Sequence, residues 1–223
     1  FMTLRSRLKR ARHQLLPHSR IRKARDEHDK LRAMDTRIPD HLLTEAAVLS
    51  DREALLHRMT KGGHVAEVGV ALGDFSERIV EVCDPDKLFL VDAWAQALEQ
   101  AGQSALERVE AKFADRIADG RVALKRGWSW DMVATLDDAS LDWAYIDAGH
   151  KYDAVSKDLE AMAPKIRPGG YICGHDYKGW SKNLQRYGVV EAVHRFVIEH
   201  EWSMAFITID PDMSGSFAIR KPA

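Results

Sequence analysis

Residues 64–80 read HVAEVGVALGDFSERIV, a short apolar run that meets two glycines and then turns amphipathic. The apolar run predicts a strand over 64–68, the glycines a tight turn, and the helical period beyond them a helix over 74–83. The question is what this loop holds. A dinucleotide fingerprint starting at Gly69 requires glycines at positions 71 and 74, which are occupied by Ala71 and Asp74. The start of a helix favours an anion, and a carboxylate already placed there discourages a pyrophosphate.

The same alternation continues along the chain. Strand-like runs are KLFLVD (87–92), RVALKR (121–126), LDWAYID (141–147) and GYICGHD (170–176), with amphipathic stretches at 103–118, 129–136 and 152–163 between them. A helix over about 188–200 precedes MAFITI and SFAIRK, and the turn-rich DPDMSG between these two suits a hairpin. Five β-α units followed by a hairpin predict an α/β, Rossmann-like, doubly wound sheet that is parallel except for one antiparallel edge strand. Upstream, residues 40–60 read as helical, with Ser50 and Glu53 at capping-box spacing and Gly62 and Gly63 as a stop. Residues 3–33 suggest two short helices broken at Pro17. The expected division is a basic helical extension over 1–61 and a second domain over 62–223.

In an open α/β sheet the ligands sit beyond the carboxyl ends of the strands, so the residues there carry the chemistry. In the first turn, which reads Glu67, Gly69, Gly73, the acids Glu67 and Asp74 suit a ligand with an ammonium or sulfonium group, which points away from NAD and towards S-adenosylmethionine; a tight β-α turn that holds nothing is the plain alternative. Asp92 closes the second strand 23 residues after Gly69, where a carboxylate can accept hydrogen bonds from both ribose hydroxyls. Gly127, Trp128 and Ser129 follow the third strand as an edge for an adenine ring, although Trp128 could equally be packed in the core. The fourth strand ends in IDAGHKY and the fifth in GHDY, so Asp147, His150, His175 and Asp176 converge if those strands are neighbours. Oxygen ligands with an imidazole suit a divalent metal; ordinary capping and loop hydrogen bonds are the plain alternative.

The chain of 223 residues, 45% hydrophobic, supports one substantial core, and no window has the roughly 18 consecutive apolar residues of a spanning helix. The charged N-terminus lacks the apolar segment of a signal peptide, which gives a cytoplasmic expectation. Cys83 and Cys173, both within apolar segments, read as buried free thiols. The net charge of −1 hides an asymmetry: residues 1–33 hold eleven Lys or Arg against three acids, leaving −9 on the other 190. A basic arm can bind nucleic acid, but this one has no aromatic residue after Phe1 to stack on a base, so solvated helices or docking on a second copy of the chain are preferred.

Together EVGVALGDFS, LVDAW, LDWAYIDAGHKYDAVSKDLEAMAPKIRPGGYICGHDY and YGVVEAVHRFV resemble a class I S-adenosylmethionine-dependent methyltransferase, most of all the bacterial macrocin-type sugar and natural-product O-methyltransferases. The resemblance implies a seven-stranded sheet of order 3-2-1-4-5-7-6 with an antiparallel last strand. It implies that Glu67, Gly69, Ala71, Gly73, Phe75, Ser76, Asp92, Ala93, Trp94, Trp128, Ser129 and Asp147 line the methyl donor. Asp147, His175 and Asp176 match the positions that hold a divalent metal, Mg or Mn, in metal-dependent members, with His175 standing where an acid is usual. His150 matches a catalytic basic position, so Asp147, His150 and His175 are the catalytic candidates. Tyr152 and Tyr177 could shape the acceptor pocket, under a cap built from residues 1–60 and 177–187.

The function expected is metal-assisted methyl transfer to a hydroxyl of a small molecule: a sugar, a glycosylated natural product or a catechol-like diol. RNA methylation through the basic arm and an inactive nucleotide-binding protein of the same fold are the competing readings.

Overall fold

A computed structural model describes residues 18–95, 99–100, 103–181, 185–210 and 214–223. Its centre is β2 (His64–Val68), flanked in parallel by β3 (Lys87–Asp92) on one side and β5 (Leu141–Ile146) on the other. β4 (Val122–Arg126) extends the sheet beyond β3, and β6 (Ile166–Gly174) extends it beyond β5. β8 (Phe217–Arg220) inserts antiparallel between β6 and β7 (Ser203–Thr208), and β1 (Ala47–Leu49) runs parallel to β7 at the edge. The order is therefore β1-β7-β8-β6-β5-β2-β3-β4.

This differs from the expected sheet in count and order, because an eighth strand lies outside β7, and the antiparallel strand expected at the edge is interior, β8 being paired on both sides. The residues responsible fall within the segment expected to be helical over 40–60. That segment instead forms a single 3-10 turn at Asp40–Leu42, strand β1, and the short helix α2 (Arg52–Leu56), the first helix among the described residues being α1 (His18–Arg32). The run EAAVL is compatible with a helix taken alone, but the open edge of β7 offers ladder hydrogen bonds that local propensity cannot match. The helix cap is corrected too: Asp51, not Ser50, accepts from the Ala54 N–H at 2.8 Å. The break expected at Pro17 and the first of the two short helices lie outside the described residues.

The helices between strands are α3 (Asp74–Cys83), α4 (Ala105–Lys112), α5 (Ala114–Ala118), α6 (Ser129–Ala134), α7 (Tyr152–Met162) and α8 (Val189–His200). Ser104 and Glu107 close a reciprocal capping box at the start of α4. They cover both faces of the sheet. From Trp143 onward the side chains of β5 alternate, so Ala144 and Ile146 pack with Val155, Leu159, Phe196 and Val197, while Trp143 and Tyr145 pack with Leu55, Ile79 and Val109; an irregularity between Leu141 and Trp143 puts Leu141 with the first group. Every position of β5 is buried, as expected for a central parallel strand covered twice. Cys83 and Cys173 are buried and free. Among the described residues, no helix is long and apolar enough to cross a membrane.

One polar group lies deep in this core. Glu67, on the β2 face towards α3, is only 1% exposed and accepts a hydrogen bond from the hydroxyl of Ser76, itself fully buried on α3. Burial pushes its carboxyl up to about 8, against the Ser76 hydrogen bond and with help from the charges of Asp147 and Asp92.

Two predictions follow from these placements. Asp51→Ala should cost about 1 kcal/mol in a denaturant melt, whereas Ser50→Ala should leave the midpoint nearly unchanged; the reverse ranking would return the cap to Ser50. For Glu67 the folded value lies above the ordinary 4.5, so its contribution is complete below about 4.5 and is lost as the pH rises through about 8. Glu67→Gln should therefore gain stability relative to the wild type between pH 5 and pH 8, and a stability difference independent of pH would show that Glu67 is ionised in the fold.

Candidate methyl-donor cavity and catalytic cluster

The loop after β2 is held from two sides. The Gly69 N–H donates to Val91 O of β3 at 2.9 Å, and the Asp147 N–H donates to Val68 O at 2.7 Å. Gly69 has φ +91°, and a Cβ there would lie 2.2 Å from the Asp147 carbonyl oxygen, so no other residue fits. Asp92 then fastens the loop from the β3 side: one carboxylate oxygen accepts from Val70 N and Ala71 N, each at 2.9 Å, and the other from Trp94 N at 2.7 Å. The Trp94 indole N–H donates to Ala71 O at 3.1 Å.

Above these strand ends opens a cavity of about 480 Å³, within the range of small-molecule sites. Of the expected donor-lining residues, Gly69, Ala71, Asp92, Ala93, Trp94, Trp128, Ser129 and Asp147 face it. Four others do not line it. Glu67 and Ser76 are sealed beneath the loop, a Gly73 Cβ would point at Val109 and Phe113, and Phe75 lies against Tyr145 with the Arg52 guanidinium 4.7 Å over its ring. The acid at position 74 also needs another account. Asp74 is bound by Lys112 Nζ at 2.8 Å, and the same ammonium reaches Glu77 at 3.2 Å. Its charge is met within the protein and does not select a cationic ligand.

Trp128 is not core: it is 61% exposed at the cavity edge, stacked on Trp130 with the ring planes 4° apart. Asp158 of α7 is a wall residue that sequence reasoning missed. It is 3% exposed, accepts from the Ser129 hydroxyl, and burial raises its carboxyl to about 6. Nothing in the helical pattern of 152–163 distinguishes it, because only the packing of α7 against α6 turns it inward.

Asp147 belongs to both the cavity and a polar cluster beside it. Asp147, His175 and Asp176 each offer a ligand atom within 4.8 Å of the others. His175 Nδ1 stands 3.7 Å from Asp147 and 3.9 Å from Asp176, too far for a hydrogen bond. His150 Nε2 lies 2.7 Å from one oxygen of Asp176, and Lys178 Nζ 2.6 Å from the other. Burial alone would raise the Asp176 carboxyl, but these two hydrogen bonds outweigh it and hold the group well below the usual carboxylate range. The His150 ring stacks on Tyr187 at 4.5 Å. Tyr177 points elsewhere, its hydroxyl bonded to His194. Tyr152 packs partly against the core. Lys178 and Tyr187, like Asp158, were not legible in advance.

A metal about 2.1 Å from the Asp176 oxygen that Lys178 holds would lie within about 5 Å of the ammonium nitrogen. The ammonium repels such an ion while Asp147 and Asp176 attract it, and both Asp176 oxygens already have a partner, His150 on one and Lys178 on the other. With Lys178 where it stands, the cluster does not fit the metal that the motif implies.

The segment 18–36 closes the neighbouring side. Glu27 pairs with Lys151 at 2.6 Å, His28 packs against Trp180 and accepts from Arg186 Nε at 3.3 Å, and Thr36 O contacts His194 at 2.8 Å.

Comparison with solved structures finds the same fold. A SAM-dependent methyltransferase from Aquifex aeolicus matches with a TM-score of 0.55 at 14% identity, over 77% of this chain and 90% of that one. The 1,6-didemethyltoxoflavin-N1-methyltransferase of Burkholderia thailandensis, solved with its substrate and S-adenosylhomocysteine, matches at 0.53 and 17%, over 77% and 76%. The tRNA methyltransferase TrmK of B. subtilis matches at 0.53 and 12%, over 78% and 67%. No curated protein sequence matches. A family model described as a methyltransferase domain matches residues 66–177, half of the chain. The chain therefore belongs to that methyltransferase-domain family, with the α/β fold of the S-adenosylmethionine-dependent methyltransferases and S-adenosylmethionine as the cofactor of that fold.

Proposed function

We propose that the protein is an O-methyltransferase that moves a methyl group from S-adenosylmethionine to a hydroxyl of a small molecule, a sugar, a glycosylated natural product or a catechol-like diol. The observation that carries this reading is that Asp147 is shared between the donor cavity and the His150–Asp176 pair, so a base stands beside the place where a methyl donor would lie. The cavity fits the donor: the Asp92 carboxylate on its wall keeps acceptor capacity for ribose hydroxyls, Gly69 and Ala71 leave room on the methionine side, and Trp128 and Ser129 edge the adenine side. Bound there, S-adenosylmethionine supplies an electrophilic methyl group on a sulfonium sulfur, already an excellent leaving group.

What remains for the chain is positioning and one proton. With Nε2 of His150 turned to the Asp176 carboxylate, that nitrogen carries the hydrogen and donates, which leaves Nδ1 as the proton acceptor. His150 Nδ1 takes the hydroxyl proton as the acceptor oxygen bonds to the methyl carbon and the carbon–sulfur electron pair leaves with sulfur. Asp176 stabilises the imidazolium that results and fixes its orientation, while stacking on Tyr187 limits rotation of the ring. Segment 18–36 and residues 177–181 and 185–187 form the acceptor-side cap in this reading, and the contacts of His28 with Trp180 and Arg186 support it.

Two measurements test the proposal. Calorimetry with S-adenosylmethionine should show saturable binding to the wild type, and its absence would defeat the enzyme reading. In a labelled-donor screen over sugar, catechol and RNA acceptors, label should pass to a hydroxyl compound. His150→Ala should lower kcat by about 10²–10⁴ while donor affinity stays unchanged. Label found only in RNA would replace the small-molecule reading.

A further inference from the structure

The Asp147–His175–Asp176 cluster has the donors of a divalent site and a cation already inside it. Lys178 reaches Asp176 by a short backbone turn: Asp176 sits at φ +54°, and the Lys178 N–H donates back to the Asp176 carbonyl at 2.6 Å. Its ammonium is then fixed by three separate contacts, the Asp176 carboxylate at 2.6 Å, the Ser214 hydroxyl at 2.7 Å, and the face of Tyr187 at 5.6 Å. The Lys178 side chain is 19% exposed, so it is a built part of the site and not a surface lysine that happens to fold over it. His175 brings no negative charge to the cluster, so it has two carboxylates, one of them already shared by His150 and Lys178.

We propose that Lys178 is the resident cation of this cluster, and that the site works without a divalent metal. In this arrangement Lys178 is a positioning residue: it neutralises and anchors Asp176, which in turn aims His150. The inference rests on the reading of the cluster as the catalytic side of the donor cavity, but its test needs neither an acceptor nor turnover.

The test titrates the purified protein with Mn²⁺ alone and follows the free ion by electron paramagnetic resonance, for the wild type, Lys178→Arg, Lys178→Met, and Lys178→Met combined with Asp147→Asn. The wild type and Lys178→Arg should show no saturable site. Lys178→Met should bind one Mn²⁺ tighter than the wild type by about tenfold or more, and adding Asp147→Asn should abolish that gain. A wild-type site for one Mn²⁺ that Asp147→Asn removes would overturn the proposal, as would a Lys178→Met variant that binds no better than the wild type. Thermal melting confirms folding, with Lys178→Gln as the substitute if the Met variant does not fold; the wild-type arm can overturn the proposal regardless of either. Failure to methylate any hydroxyl would sink the O-methyltransferase reading and leave the Mn²⁺ result standing, so the two failures are distinguishable.

Discussion

Three strands meet at one residue without a side chain. Gly69 lies so close to the Asp147–Ala148 peptide that a single added carbon would collide with it, and the loop it opens is fastened to β3 by the Asp92 carboxylate. The close approach brings the end of β2 against the end of β5, and β5 is the strand that delivers Asp147. The cavity and the polar cluster are therefore one structure: the backbone that shapes the first also sets the position of the second. Asp92 spends hydrogen-bonding capacity on three backbone N–H groups and still faces the cavity, which makes it both a structural clamp and a candidate ligand.

The side beyond the polar cluster is assembled differently. It is built from segments far apart in the chain, the helix α1, the start of α7 and the loop between β6 and α8, tied by ion pairs and aromatic contacts instead of ladder hydrogen bonds. Arg186 is central to it, with its guanidinium over Trp180, on backbone carbonyls of Gly179 and Tyr187, and paired with Glu191. Glu191 keeps one oxygen that is buried without a partner, a cost that the Arg186 pair has to offset.

Much of the fold was legible because hydrophobic period and glycine placement are local properties. Helix α3 has the predicted bounds, the central strands lie where the apolar runs put them, and the turn between them needs its glycine for the reason the turn itself states. The segment 40–60 was misread because AVL is compatible with helix or strand, and the choice was made by the unpaired edge of β7 about 160 residues later. On the cavity wall, Asp92, Trp128 and Asp147 could be picked out because strand ends have a known place in such a sheet. Lys178, Tyr187 and Asp158 could not, since their relevance comes from what lies opposite them.

By itself, the sequence determined the alternation of strands and helices, the position of the glycine loop, and the residue types gathered at the strand ends, since each depends on near neighbours in the chain. Only the tertiary structure decided which charges meet. Lys112 stands on Asp74, and Lys178 and His150 stand on the two oxygens of Asp176, pairings that no local pattern announces. The physical reason is that a carboxylate declares its charge in the sequence but not its partner, and the partner settles whether that charge is left for a ligand.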